Sequence, residues 1–345
     1  METPTKIIAK ISNLQVKYPK MLLGKDLILA TKPFAKEIRN RSWFHTISTL
    51  ILLVILLGST LALPILGLKL VCSVLAGLLL IRLFILYHDH QHHSILTNSP
   101  AAEVIMTIVG MYMLSPTSIW KRSHDHHHKH NSKLFSASIG SYPIITKKKY
   151  QEMSGFQKFN YLATRHPLTI LLGYFSMFIM GMCVKSFVSN PRKHFDSLLA
   201  LIVHFTVAAL LFVFIGWQAW FFMFFLPFFI SLGIGAYLFY AQHNFPGVEF
   251  YENGNWVYEK AALDSSSYMK MHPIMEWLTG NIGYHHIHHL NSKIPFYRLP
   301  ETMKKISELQ NCKTTSLSPK SVSECFKLKV WDQENNRMIG VKGLS

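Results

Sequence analysis

Long apolar runs alternate with polar stretches along this chain, and their lengths set the first expectation. Residues from about Trp43 to Leu66 and from about Leu68 to Tyr87 are almost continuously apolar. Each approaches the roughly 20 residues a helix needs to cross hydrocarbon. Pro64 and Gly67 mark a tight turn between them, so the two form a hairpin. The second helix then returns to the side where the chain began and delivers His88 there. The run 101–114, AAEVIMTIVGMYML, is apolar but short, which predicts a re-entrant or interfacial helix.

Three further apolar segments, 168–184, 197–215 and 218–240, follow the polar stretch 115–166. Arg165 precedes the first, and Lys185, Arg192 and Lys193 follow it, so both of its ends carry the basic signature of the cytoplasmic side. This segment therefore reads as re-entrant or interfacial, and the other two as a hairpin turning at GWQAW. The expected fold is an all-α integral membrane protein. Four transmembrane helices in two hairpins, with re-entrant or interfacial helices, carry a cytoplasmic histidine-rich head, and both termini are cytoplasmic.

Three stretches follow from this reading. Residues 1–42 form a cytoplasmic, interfacial segment, 43–310 the membrane domain, and 311–345 a cytoplasmic tail in which FKLKVWDQENNRMIG suggests a small strand pair. The opening METPTKIIAKISNLQVKYPK lacks the continuous apolar core of a signal peptide and is expected to stay on the chain.

Composition agrees with a membrane part joined to an aqueous head: half the residues are hydrophobic and 15% are charged. On a soluble protein the net charge of +17 would raise nucleic acid as a partner. Here the basic residues flank apolar spans, where they set orientation and attract anionic headgroups. Membrane lipids are the expected partners, and nucleic acid is not. The four cysteines form no CxxC pair, which argues against a disulfide framework or a zinc ribbon.

Most of the 19 histidines fall in three short runs, HDHQHH at 88–93, HDHHHKH at 124–130 and HHIHH at 285–289. Helix geometry selects among them, because positions three or four apart share a face. His88 and His92 are i,i+4. His124, His127 and His128 are i, i+3 and i+4, and His285, His288 and His289 repeat that pattern. Eight imidazoles can thus converge from three helix ends, too many for one ion and suitable for two. His243 in FYAQHNFPG leaves the last span on the same side and is a ninth candidate. His90, His126 and His286 point elsewhere and read as supporting or surface groups. His45 and His204 lie in apolar segments and are expected to hydrogen-bond between helices. Asp89, Asp125 and Asn281 are candidates to orient ligand imidazoles, with helix capping the alternative. Imidazole binds iron, zinc, copper and nickel, so the ligand type alone does not name the metal.

HDHQHHS, WKRSHDHHHKHN and GNIGYHHIHHLNSKIPFY resemble the three histidine boxes of membrane fatty acid desaturases. The flanks KPFAKEIRNRSW, FYAQHNFPG and ALDSSSYMKM are most similar to the bacterial acyl-lipid, omega-6-type branch, and the similarity runs from about residue 30 to 335. The resemblance implies a non-haem centre of two iron ions, dioxygen as co-substrate and a cis double bond introduced into an acyl chain. It also implies boxes on the cytoplasmic face of a bacterial inner membrane. By motif position the eight box histidines take the ligand roles and His243 the extra one. The substrate is an acyl-lipid, or an acyl-CoA or acyl-carrier ester. No HPGG haem motif is present, so electrons are expected from a separate donor such as ferredoxin or a b-type cytochrome. His90 and Gln91 depart from the usual Cys-Gly inside the first box. A hydroxylase or ketolase of a carotenoid or sphingolipid would share the boxes. A metal transport or storage protein is the other alternative, but a transporter would place ligands within its spans.

An unactivated methylene pair has no acidic proton and no carbonyl to polarise, so its oxidation needs metal and oxygen chemistry while the protein supplies placement. A dry tunnel must present the chosen carbons, and segments 101–114 and 168–184 are its expected walls.

Overall fold

Among the described residues, four helices are long and apolar enough to cross a membrane. The structure is a computed structural model describing residues 21–134 and 141–344. Much of the interfacial N-terminal segment expected at 1–42 therefore lies outside the described residues, and its remainder begins with helix α1, Gly24–Thr31. The spans are α2, Arg39–Ala62, and α3, Leu66–Gln91, joined through Pro64, then α7, Phe195–Ile215, and α8, Trp217–Ala241, joined at Gly216. Gly216 has φ +109°, a conformation that favours glycine, and it reverses the chain where the sequence places the second hairpin turn.

Burial sorts the four helices into two kinds. The apolar windows of α3 and α8 are 61% and 56% buried, those of α2 and α7 only 22% and 17%. The first two form the central pair, and the others present Ile51, Val54, Phe205 and Phe212 outward. The central pair approaches closely at Gly77, where a Cβ would lie 2.9 Å from the Pro227 carbonyl oxygen. Small residues let helix backbones meet in this way inside a bilayer.

The shorter apolar runs, expected to be re-entrant or interfacial, also form helices. Helix α4, Pro100–Tyr112, is capped by Ser99, whose Oγ accepts the Ala102 N–H at 3.4 Å. It meets α5, Thr117–His130, at a bend of 91°, the shape of a broken or re-entrant pair. Segment 168–184 contributes most of a shorter apolar helix, α6, Tyr174–Ser189. His204 receives the inter-helix role expected of it, with Nε2 2.7 Å from the Tyr174 hydroxyl and Nδ1 2.9 Å from the Tyr112 carbonyl. His45 Nδ1 lies 3.1 Å from the guanidinium of buried Arg82. That guanidinium also donates to Thr49 Oγ1 and to the Trp277 carbonyl, tying α2 and α3 to the head.

The head is built from short elements. β1, Tyr268–Lys270, pairs in parallel with β2, Thr314–Ser316, and the expected C-terminal strand pair is β3, Val330–Asp332, antiparallel to β4, Arg337–Ile339. Helix α9, Pro273–Leu278, leads to α10, His285–Leu290, through Gly280 and Asn281, both at positive φ. The last 34 described residues pack onto the head. Helix α11, Pro319–Lys327, holds buried Cys325, whose carbonyl accepts from Asn244 at 2.7 Å just beyond α8.

Candidate metal centre

Helix α3 runs past the apolar span to Gln91, so His88 leaves it in its last turn and His92 caps it. Beyond that cap the chain reverses through His93, Leu96 and Asn98, all at positive φ. Helix α5 presents the second run along its length, and the six-residue α10 presents the third.

The imidazoles of these three helices meet in two groups. His88, His92, His124, His128 and His288 form one, and His127, His243, His285 and His289 the other, with the ring nitrogens of each group within 4.8 Å of one another. These are the eight selected by helical spacing together with His243. In the first group His124 Nε2 lies 3.0 Å from His88 Nε2 and 3.2 Å from His128 Nε2, and His288 Nε2 lies 3.1 Å from His128 Nε2. In the second, His243 Nε2 lies 3.0 Å from His127 Nε2 and 2.9 Å from His285 Nε2.

The two longer motifs contribute in a reciprocal way. His124 and His128 (i,i+4) join the first group while His127 joins the second; His285 and His289 join the second while His288 joins the first. A helix turns about 100° per residue, so i+3 and i+4 side chains diverge while still facing the same half of the helix.

The donor set fits metal binding. Burial and neighbouring imidazoles hold His124, His127, His128, His285, His288 and His289 well below the ordinary histidine range. Burial lowers His243 to about 4. Neutral rings keep a lone pair for a metal. His92 Nε2 is buried without a hydrogen-bond partner. At a metal–nitrogen distance of about 2.1 Å, ligands at right angles lie about 3.0 Å apart and tetrahedral ligands about 3.4 Å. The shortest nitrogen separations, 2.9–3.2 Å, are close enough for neighbouring rings to share one ion.

Supporting contacts are uneven. Asp89 Oδ1 lies 3.0 Å from His88 Nδ1, and its Oδ2 accepts the Phe296 N–H at 2.7 Å. Asp125 Oδ2 instead accepts from Lys121 at 2.8 Å, and Asn281 donates to the Phe296 carbonyl at 3.2 Å. Only Asp89 of the three touches a ligand candidate. The sequence reading missed the Ser265 carbonyl, 2.9 Å from His243 Nδ1, because a backbone acceptor leaves no residue-type signal. It also missed Trp120, stacked on His124 with ring centroids 4.6 Å apart.

The remaining histidines of the runs stand apart from both groups. His286 is buried, with Nε2 3.1 Å from the Leu309 carbonyl, an internal anchor rather than a surface group. His90 is buried with Nε2 3.6 Å from Glu103, and His126 stacks on His130 at 3.9 Å.

A cavity of about 290 Å³ opens beside the imidazoles and is lined by His88, His124 and His285, so it touches both groups. Its walls include Met113 just after α4, and Met177, Phe178, Gly181 and Met182 of α6, in line with the expected tunnel walls. The central pair supplies the rest, including Ile81, Phe84 and Ile85 of α3 and Ser231, Gly235 and Leu238 of α8.

Four membrane-length helices stand with nine histidines, contributed by α3, α5, α10 and the turns after α3 and α8, that converge beside an apolar cavity, an arrangement compatible with a membrane-bound metalloenzyme. The family model described as Fatty acid desaturase matches residues 64–317, and the chain belongs to this family. A fatty acid desaturase from Bacillus subtilis (strain 168) is 31% identical over 80% of this chain and 78% of the relative. The sn-1 oleoyl-lipid 12-desaturase of Synechocystis sp. (strain ATCC 27184 / PCC 6803 / Kazusa) is 23% identical over 65% of this chain and 64% of its own length. The sn-1 acyl-lipid omega-3 desaturase (ferredoxin) of Nostoc sp. (strain 36) is 24% identical over 67% and 65%.

Proposed function

We propose that this desaturase introduces a double bond into the acyl chain of a membrane lipid at two non-haem irons held by His88, His92, His124, His128 and His288 on one side and His127, His243, His285 and His289 on the other. The observation that carries this reading is the convergence of nine imidazoles, in groups of five and four, at the wall of an apolar cavity. Five nitrogens exceed the four ligands usual for zinc and suit an ion of higher coordination. When bound, such an ion pair supplies the dioxygen-dependent oxidation that an unactivated methylene pair requires.

The chain's own part is placement. The cavity walls hold the acyl chain in an extended path, keep water away and bring one methylene pair past His88, His124 and His285. Asp89 fixes the tautomer and tilt of His88 by accepting its Nδ1–H, and the Ser265 carbonyl does the same for His243. Trp120 limits the rotation of His124.

A separate one-electron carrier protein supplies the reducing equivalents; two relatives carry "(ferredoxin)" in their names, and a net charge of +17 favours an acidic partner. The enzyme lies in the membrane with its three histidine runs and both termini on the cytoplasmic face, in keeping with an even number of spans and the basic flanks. Of the three stretches of chain, 43–310 is the catalytic membrane domain, flanked by the segments 1–42 and 311–345.

The test is expression in a host of simple acyl composition, with double bonds located by mass spectrometry and iron counted per purified chain. New dioxygen-dependent double bonds and about two irons per chain are expected. Oxygenated pigment or hydroxylated lipid in place of alkene would overturn the reaction, and stoichiometric zinc in an active enzyme would overturn the metal.

A further inference from the structure

Helix α8 carries two glycines two positions apart, and their surroundings differ. A Cβ on Gly233 would lie 2.7 Å from the Leu171 carbonyl oxygen, so this glycine lets the segment before α6 pack against the helix. A Cβ on Gly235 would meet no atom within 4 Å. Packing does not call for glycine there, and only proline is less favourable inside a helix. Gly235 is nevertheless half-buried, and it lines the cavity beside the imidazole groups. The space next to it is the cavity itself.

Its position along the cavity is also defined. Ser231, Gly235, Leu238, Phe239 and Gln242 all line the cavity and follow one another at helical spacing, so one face of α8 leads to His243. Gly235 stands eight residues before His243, about 12 Å along the axis at roughly 1.5 Å per residue. Across the cavity, Ile81 stands seven residues before His88, about 10 Å by the same measure. Gly235 therefore lines the part of the cavity far from the imidazoles, at about the depth of Ile81 and one turn short of Ser231, among the apolar spans. An ester or headgroup entering that apolar end would lose its hydration without compensation, so the methyl end of an acyl chain occupies it.

We infer that Gly235 is a specificity-determining residue: its absent side chain makes room for the methyl-terminal segment and so sets how many carbons lie between the oxidised pair and the methyl end. This rests on the reading of the cavity as the acyl site. The count on the methyl side is the quantity to follow. It falls if filling the space moves the double bond toward the methyl end, and equally if it turns the enzyme to shorter chains.

The test compares wild type, Gly235→Ala, Gly235→Val and Gly233→Ala in a host supplied with fatty acids of graded length, with double bonds located by mass spectrometry. Gly235→Val should change the ratio of products with long and short methyl-side segments by about tenfold or more, the usual effect of a methylene-sized mismatch in an apolar pocket. Gly235→Ala should move the ratio in the same direction and melt at or above the wild-type temperature. Gly233→Ala should melt lower, and the protein that folds should keep the wild-type products. A wild-type methyl-side count in folded, active Gly235→Val overturns the inference. So does the loss of activity on every chain length in a folded, metal-replete Gly235→Ala, which keeps the test decisive if the valine variant does not fold. Wild type that makes no double bond at all would refute the acyl reading instead, a result visible without any substitution.

Discussion

His127 and His128 are neighbours in sequence, yet their ring nitrogens belong to different groups, His128 with His88, His92, His124 and His288, and His127 with His243, His285 and His289. One helix, α5, thus serves both halves of the centre, and α10 does the same with His288 against His285 and His289. Neither half is complete without side chains from separate helices. Loss of a single imidazole should therefore disturb a shared framework.

That relation yields a direct comparison. His288→Ala should abolish desaturation and lower bound iron, because His288 is buried in the five-membered group. His90→Ala should keep substantial activity, since His90 faces Glu103 and lies outside both groups. Iron per chain and product are measured together for each variant. A fully active His288→Ala would refute the ligand assignment, and an iron-replete but inactive His90→Ala would give that residue a further role.

His243 lies outside every box and needs its own test. Its Nε2 is 2.9 Å from His285 Nε2, and its Nδ1 faces the Ser265 carbonyl, an arrangement that leaves Nε2 for a metal. His243→Gln should lose iron or dioxygen-dependent turnover while inserting normally into the membrane. Wild-type values for both iron and turnover would show that it only anchors the chain after α8.

Asp89→Asn isolates the contribution of charge to orienting a ligand. The amide keeps the size of the side chain and can still accept from Phe296, but it no longer presents a carboxylate to His88. Changes to such supporting groups typically cost about 10–100-fold in metal affinity or activity, and a loss in that range is expected. Asp125→Asn serves as the control, because its partner is Lys121 and its activity should stay within about twofold of wild type. Equal losses in the two variants would remove the distinction.

Acid should destabilise the metal-free protein. Folded His243 titrates at about 4 against an ordinary value of 6.5, with burial the main cause. Below pH 6.5 the unfolded chain takes up protons that the folded chain refuses, so stability falls as pH drops toward 4 and is unaffected above about 7. The other buried imidazoles add to the slope in the same direction. Melting of chelator-treated protein at pH 7.5 and 5.5 checks this, and a midpoint that rose on acidification would contradict it.

Topology is tested by accessibility. Reporters or single cysteines near Lys148 and Glu308 should label from the same, cytoplasmic, side. Labelling from opposite sides would break the four-span arrangement.

The apolar runs determined the four spans by themselves, because a helix in hydrocarbon must satisfy its backbone internally and needs a fixed length to cross. The eight box histidines were legible for a similarly local reason: i, i+3 and i+4 share a helix face whatever the rest of the fold does. Position marked His243, since the last span had to end near the other clusters, and its flank FYAQHNFPG resembles that of the family. Tertiary structure decided what depends on distant segments meeting. The division of nine imidazoles into five and four is one such matter, set by how α3, α5 and α10 are turned toward one another. The supporting contacts are another: Asp89 and Asp125 stand in similar motifs, yet Asp89 meets Phe296, 207 positions away, and Asp125 meets Lys121 in the preceding turn of its own helix. The cavity walls were the least legible, because α3 and α8 read as uniformly apolar spans. Only their packing shows that Gly233 closes against a neighbour while Gly235 opens onto empty space.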